Sequence, residues 1–498
     1  MLGRVQCITP MASIFPLEPT GAEVEALTTE VVKYLVAFVD ARKEAPASDF
    51  DGTEALLARV RQPIPEAGQS LEFVIDLVAA ATAKGHDTTG DGWLAYVPGG
   101  GLFSAALADF IARTTNRFVG VSEPAPVLAQ IEATALRWLC DLFSYPASAR
   151  GVLTTGGSLA TFSAIVTARQ ALLGEDFLDG TIYLTSETHG AVAKAASLAG
   201  FRRNNLRVVT TGGDLRMDPE RLTALIDADT RQGLRPCVVV ATAGTTNTGA
   251  IDDIQALADV ARHSKAWLHV DAAYGGFFQL TDRGRRLFHG IEHADSIVLD
   301  PHKGMFLPYG TGALLVRDGV KLREAHEVHG AYLRDHPPEA EIPDFANYSP
   351  ELSRDARGLR VWMPIMLHGM AAFRQALDEK LDLAQYLYEQ LRAMPQLEVP
   401  WHPALSTVCF RCAEGHWSDP EAATAALLER INASRRVFLS STVVDGRMII
   451  RACILSVHTH RDRIDELVGI VKAACAEPLA GRDGRTRNRA ISIGQVHA

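Results

Sequence analysis

DSIVLDPHK, residues 295–303, carries a short run of apolar, strand-forming residues into a lysine set between a histidine and a glycine. Burying a lysine is costly unless its charge is paired or removed. Lys303 therefore either snorkels to water or serves something within its reach. Upstream, in WLHVDAAYGG (267–276), a strand-like run ends in the same manner on a carboxylate, Asp271, followed directly by two alanines. An acid in that position either caps the next turn or holds a cation.

Outward from these two stretches the pattern repeats. TIYLTS precedes GAVAKAASLAG, CVVVATAG precedes IQALADVARHSK, and GALLVRD closes the series. Short β-branched runs alternating with helical stretches predict a mostly parallel α/β sheet, in a large domain over 101–365. Residues 1–100 read as a helical N-terminal arm, typified by GAEVEALTTEVVKYLVAFVDARKEA. Residues 366–480 read as a small α+β C-terminal domain, with paired runs VFLSSTVV and RMIIRACIL and a last helix opened by the capping-box pattern Thr459-His-Arg-Asp462. The charged, aperiodic stretch 481–498 is expected to be disordered.

Composition narrows the function. The 498 residues contain 49 basic and 59 acidic side chains, for a net charge of −10, which argues against nucleic-acid partners and anionic membranes. Seven cysteines without framework spacing point to reduced thiols. Cys409-Phe-Arg-Cys412 alternates like a strand and has no second pair downstream, so no metal site is expected. No apolar run approaches membrane-spanning length and the N-terminus lacks a signal-like core, so a cytoplasmic protein is expected.

The strand-to-helix junctions carry the chemistry, because ligands of open α/β sheets bind at the strand carboxyl ends. In GVLTTGGSLATFSAIVTARQ (151–170), Gly156, Gly157 and Ser158 open a long helix whose N–H groups and dipole suit an anion. The lysine of a P-loop and the G-x-G-x-x-G of dinucleotide folds are both missing. His189, in TSETHGAVAKAA, faces the same rim, as a stacking ring or as an ordinary polar residue. Thr245 and Thr246 follow in a glycine-flanked loop. One ligand uses all of these groups: it has a phosphate for the cup, a flat ring for His189, a basic ring nitrogen for Asp271 and an aldehyde for Lys303. That ligand is pyridoxal 5′-phosphate.

The order Gly-Gly-Ser, His, Thr-Thr, Asp-x-Ala, Pro-His-Lys resembles the group II pyridoxal-phosphate-dependent decarboxylases, the aromatic-L-amino-acid and glutamate decarboxylase superfamily of fold type I, over about residues 90–470. The resemblance implies a seven-stranded, mostly parallel sheet and a homodimer with its site at the subunit boundary. It implies an internal aldimine on Lys303, Asp271 against the pyridine nitrogen, His189 over the ring, and Gly157 with Ser158 on the phosphate. Ala273 would pack beneath the ring, Thr246 near its oxygen or Asp271, and His302 beside the phosphate and the aldimine. The implied reaction is decarboxylation of an L-amino acid to its amine through a quinonoid intermediate.

NYSPELSRDARGLRVWMP (347–364) is similar to the catalytic loop and arginine-rich segment of aromatic amino-acid decarboxylases. It offers Tyr348 as the residue that reprotonates the substrate carbon, with Tyr332 as second choice. The loop is about three residues shorter than the family's pattern. WLAYVPGGGLF (93–103) matches the side-chain pocket, so Tyr96 and Phe103 imply an aromatic substrate, and Arg357 is the candidate for its carboxylate. Two alternatives remain: an oxygen-consuming aromatic aldehyde synthase, and a carbon–carbon lyase like sphingosine-phosphate lyase. The second is raised by Asp300, where many of the decarboxylases have Asn.

Overall fold

The computed structural model describes residues 17–327 and 342–477. The chain divides into two compact units, Met1–Asp87 and Thr88–Ala498. The smaller unit contains the helices Gly21–Ala41, Thr53–Val60 and Leu71–Thr82 and a two-residue antiparallel pair joining Ser48–Asp49 to Gly85–His86. Thr20 and Glu23 close a capping box on the first helix, and Ser70 caps the third. None of the three helices contains a fully buried residue.

The larger unit is built on seven strands: β1 (Arg150–Thr154), β2 (Gly180–Leu184), β3 (Leu206–Val208), β4 (Arg235–Thr242), β5 (Trp267–Asp271), β6 (Ser296–Leu299) and β7 (Gly312–Val316). Their order is β1-β7-β6-β5-β4-β2-β3. β7 runs antiparallel to both of its neighbours, β1 and β6; the pairs among β2 to β6 are parallel. β2, β5, β6 and β7 are buried at every position, as a sheet covered on both faces requires. The mostly parallel sheet read from the alternation is thus present.

A second, antiparallel sheet follows: β8 (Leu397–Glu398), β9 (Thr407–Cys412), β10 (Ser440–Val444) and β11 (Arg447–Cys453), in the order β8-β9-β11-β10. Cys409 and Cys412 lie three apart on β9, so their side chains leave opposite faces and pack into different apolar clusters. No metal-binding cluster occurs among the described residues.

Two domain limits from the sequence fall elsewhere in space. Residues 88–100, assigned to the arm, sit in the larger unit. Leu94 exchanges backbone hydrogen bonds with Phe438 and Cys453, and Trp93 stacks on Phe438 at 5.3 Å. The limit at 365/366 falls inside the helix Gly358–Arg392, which breaks its geometry at Gly369. That helix serves two cores, giving Val361 to Leu381 to the first and Leu383 to Leu391 to the second. The expected capping box at Thr459 does not form. The Thr459 hydroxyl donates to the Asp91 carbonyl at 2.7 Å instead, and His460 occupies the cap position without a side-chain capping bond.

Behind the sheet's functional edge, His269 of β5 is fully buried. Its Nδ1 lies 2.8 Å from Ser296 Oγ, which also accepts from Trp267 Nε1 at 2.8 Å. Burial pulls the His269 pKa down to about 4. The unfolded chain takes up this proton near pH ~6.5, so between there and about 4 the unfolded state binds more protons. His269's contribution is therefore intact above that window and is lost as the pH falls through it, at about 1.4 kcal/mol per pH unit. His269→Asn keeps an acceptor for Ser296 but cannot titrate. Its melting temperature should drop less than the wild type's between mildly alkaline and mildly acidic buffer; equal drops would contradict the assignment.

Candidate active site

Five strand ends open onto one cavity of about 320 Å³, at the lower end of the range for small-molecule sites, ~300–1,000 Å³. β1 delivers Gly157 and Ser158, β2 delivers His189, and β4 delivers Thr242 and Thr246. β5 delivers Asp271 and Ala273, and β6 delivers Asp300, His302 and Lys303. Their convergence follows from strand pairing: Thr242 is in register with Asp271, and Asp271 with Val298, the residue two before Asp300.

Each group has a definite local setting. Gly157 and Ser158 begin the helix Gly157–Leu173, where backbone N–H groups lack intrahelical acceptors. A Cβ on Gly157 would lie 3.0 Å from Asp300 Oδ2, so only glycine fits there without pressing on that acid. His189 caps the helix Gly190–Leu198, its Nδ1 accepting from the Ala191 N–H at 3.2 Å. His189 is thus a hydrogen-bonded polar residue, and it also lines the cavity. Asp271 accepts from the Ala273 N–H at 3.1 Å.

Lys303 lies in the short helix Pro301–Gly304, its Nζ 2.9 Å from Asp300 Oδ2. The side chain is 21% exposed and Asp300's only 4%, and both residues line the cavity. His302 donates Nδ1–H to the Thr311 carbonyl at 2.7 Å, since a carbonyl can only accept. Burial is the largest of the influences that leave the His302 pKa below its ordinary value, and its Nε2 stands 3.7 Å from Asp300 Oδ2.

Other expected residues lie elsewhere. Arg357 is buried, with its guanidinium committed to Glu351 at 2.7 and 2.8 Å and to Asp355 at 2.8 Å. It does not line the cavity and has no free edge for a carboxylate. Its neighbours act likewise: Arg354 bonds Glu132 and the Leu153 carbonyl, and Arg360 bonds Asp109 and the Gly310 carbonyl. The arginine-rich segment braces β1 and the loop after Lys303. Tyr348 is 5% exposed and packs in the main core rather than on the cavity; Tyr332 lies outside the described residues. Tyr96 and Phe103 are exposed, at 55% and 59%, and do not line the cavity within one chain. The glycine run beside them supports the lysine: a Cβ on Gly99 would sit 1.9 Å from the His302 carbonyl oxygen.

Three participants were not singled out from sequence. Thr242 lines the cavity, and its Oγ1 is buried without a partner. Tyr274 lines it too, tied through its hydroxyl to Ser406 and Thr407 of the second sheet's side. Arg451 of β11 donates to the Thr246 carbonyl at 2.6 Å and the Asn247 carbonyl at 3.1 Å, while Asn247 holds Glu187, two residues before His189, at 3.0 Å. An arginine within RMIIRAC is the one signal for it.

This chain belongs to the pyridoxal-dependent decarboxylase family: residues 56–413 match the pyridoxal-dependent decarboxylase conserved domain. It is 30% identical to an aromatic-L-amino-acid decarboxylase of Bacillus atrophaeus, over 93% of this chain and 97% of that one. It is 30% identical to tryptophan decarboxylase 1 of Oryza sativa subsp. japonica, over 78% and 80%. Among solved structures it is similar to Oryza sativa TDC with PLP and tryptamine, with a TM-score of 0.88, 27% identity, and 92% and 99% of the two chains covered.

The enzyme is a pyridoxal-phosphate-dependent carboxy-lyase of fold type I. Its cavity suits that cofactor on its own terms. It offers an amine for an aldehyde, an acid at the end of β5, a helix start for phosphate, and two buried polar atoms, Thr242 Oγ1 and Asp300 Oδ1, that lack protein partners.

Proposed function

We propose that the protein converts an aromatic L-amino acid to its amine and carbon dioxide in the cavity around Lys303. The observation that carries this reading is that Lys303, Asp271 and the Gly157 helix start line a single cavity. Similarity along nearly the whole chain to an aromatic-L-amino-acid decarboxylase supports the substrate class.

In this reading Lys303 is the amine that would hold the cofactor. Asp271 would pair with the ring nitrogen and favour its protonated form, His189 would stack on the ring, and Ala273 would leave room for it. Gly157 and Ser158 would take the phosphate, with His302 beside it and Thr246 near the ring oxygen or Asp271. The bound cofactor supplies the aldehyde that captures the substrate amine and a ring that accepts the electrons left when carbon dioxide departs. The proton that returns to the substrate carbon comes from a tyrosine. Tyr348's burial in the core favours Tyr332 for this role, against the sequence's first choice.

We further infer a homodimer in the cytosol. Tyr96, Phe103, Phe110, Met366 and Leu367 are exposed on the larger unit, an amount of apolar surface that a partner subunit would cover. The described cysteines are buried and unbridged, and no described helix is long and apolar enough to cross a membrane.

An amino-acid panel scored together for amine, carbon dioxide, ammonia and hydrogen peroxide tests the reaction. Tryptophan, tyrosine, phenylalanine or a hydroxylated relative should give amine and carbon dioxide in equal amounts. Ammonia with peroxide would instead identify an aldehyde synthase. In the same assay Tyr332→Phe should lose amine formation by about 100-fold or more, whereas Tyr348→Phe should retain it; the reverse would restore Tyr348. Light scattering should give twice the 53.9 kDa chain mass, and a fully active monomer would refute the dimer.

A further inference from the structure

Asp300 is a carboxylate where the cofactor's own anion must come close. Its oxygens lie 3.0 and 3.2 Å from the point where a Cβ on Gly157 would stand, against the helix start that receives phosphate. Oδ2 meets Lys303 Nζ at 2.9 Å, while Oδ1 is buried with no hydrogen-bond partner. The pair is held at both ends: the Lys303 N–H donates to the Asp300 carbonyl at 2.8 Å, and Pro301 fixes the turn between them. His302 does not substitute for it, because its Nδ1 is committed to Thr311 and its Nε2 stands 3.7 Å from Asp300, beyond hydrogen-bond reach.

An ammonium cannot attack an aldehyde, and two anions side by side repel. One proton transfer removes both obstacles. We propose that Asp300 is the proton acceptor that makes Lys303 nucleophilic when the cofactor is captured, and that the proton it gains neutralises it beside the phosphate. The Lys303 ammonium gives one proton to the Asp300 carboxylate. The neutral amine adds to the aldehyde carbon, a carbon–nitrogen double bond forms, and the aldehyde oxygen leaves as water with the two remaining amine protons. Asp300 ends as a carboxylic acid able to donate to a phosphate oxygen. When the substrate amine displaces Lys303, the lysine recovers its proton from Asp300. The inference rests on Lys303 as the cofactor's anchor, and it gives a role to an acid where many of the resembled enzymes carry an amide.

The test is loading of the apo-protein, followed by stopped-flow absorbance of the new double bond after mixing with pyridoxal phosphate. Asp300→Asn keeps the shape and an oxygen that accepts from Nζ but cannot take a proton. Its loading should slow by about 100-fold or more, with unchanged thermal unfolding of the apo-protein. Inorganic phosphate, which has no aldehyde, should compete with loading more strongly in Asp300→Asn than in the wild type, because the neighbouring anion is gone. Loading of Asp300→Asn at the wild-type rate, with only Asp300→Ala slow, would show that Asp300 merely orients the lysine and would overturn the proposal. A wild-type apo-protein that forms no such bond would overturn the anchor assignment itself, a different result from equal rates in the two proteins.

Discussion

The parallel register of β4, β5 and β6 is the constraint on which the rest of the molecule depends. It sets Thr242 beside Asp271 and Asp271 beside the strand that leads to Asp300 and Lys303. No loop has to search for these groups, because backbone hydrogen bonds across the buried sheet fix their spacing. Residues around that edge serve to keep it rigid. Gly99 lets backbone pack on backbone behind Lys303, Arg360 bonds the Gly310 carbonyl and the Thr311 hydroxyl after it, and Arg451 pins the Thr246 loop.

Buried charge divides into two kinds here. Arg357 is enclosed by Glu351 and Asp355, so its cost of desolvation is offset locally and it acts as a structural tie. Lys303 and Asp300 are paired with each other, yet one lysine face is open to the cavity and one aspartate oxygen has no partner. Such an incomplete network marks a place where a ligand finishes the hydrogen bonding. It also places the reactive amine where its charge can be removed rather than balanced by solvent.

The cavity residues legible from the sequence are those whose position is set by local chain geometry. Gly157, Ser158, His189, Thr246, Asp271, Ala273, His302 and Lys303 all lie at or shortly after the end of a strand, and period and turn chemistry place such residues without knowledge of distant contacts. The readings that did not transfer depend on partners far along the chain. Arg357 was a candidate ligand because its acids, Glu351 and Asp355, are recognisable as partners only once the turn between them is folded. Tyr348 was a candidate donor because nothing in NYSPELSRDARG reveals that the main core encloses its ring. Thr459 has the spacing of a capping box, but Asp91, 368 residues away, takes its hydroxyl. The antiparallel β7 inside a parallel sheet, and the helix that passes from one core to the other, have no local signal at all.

The account turns on Lys303 as the point of covalent attachment. Reduction of the cofactor-loaded protein with borohydride, followed by peptide mapping, reads that point directly. The account predicts a single pyridoxyl phosphate adduct on the peptide that contains Lys303. An adduct on another lysine, or an unmodified Lys303 in protein that carries the reduced cofactor, would contradict it.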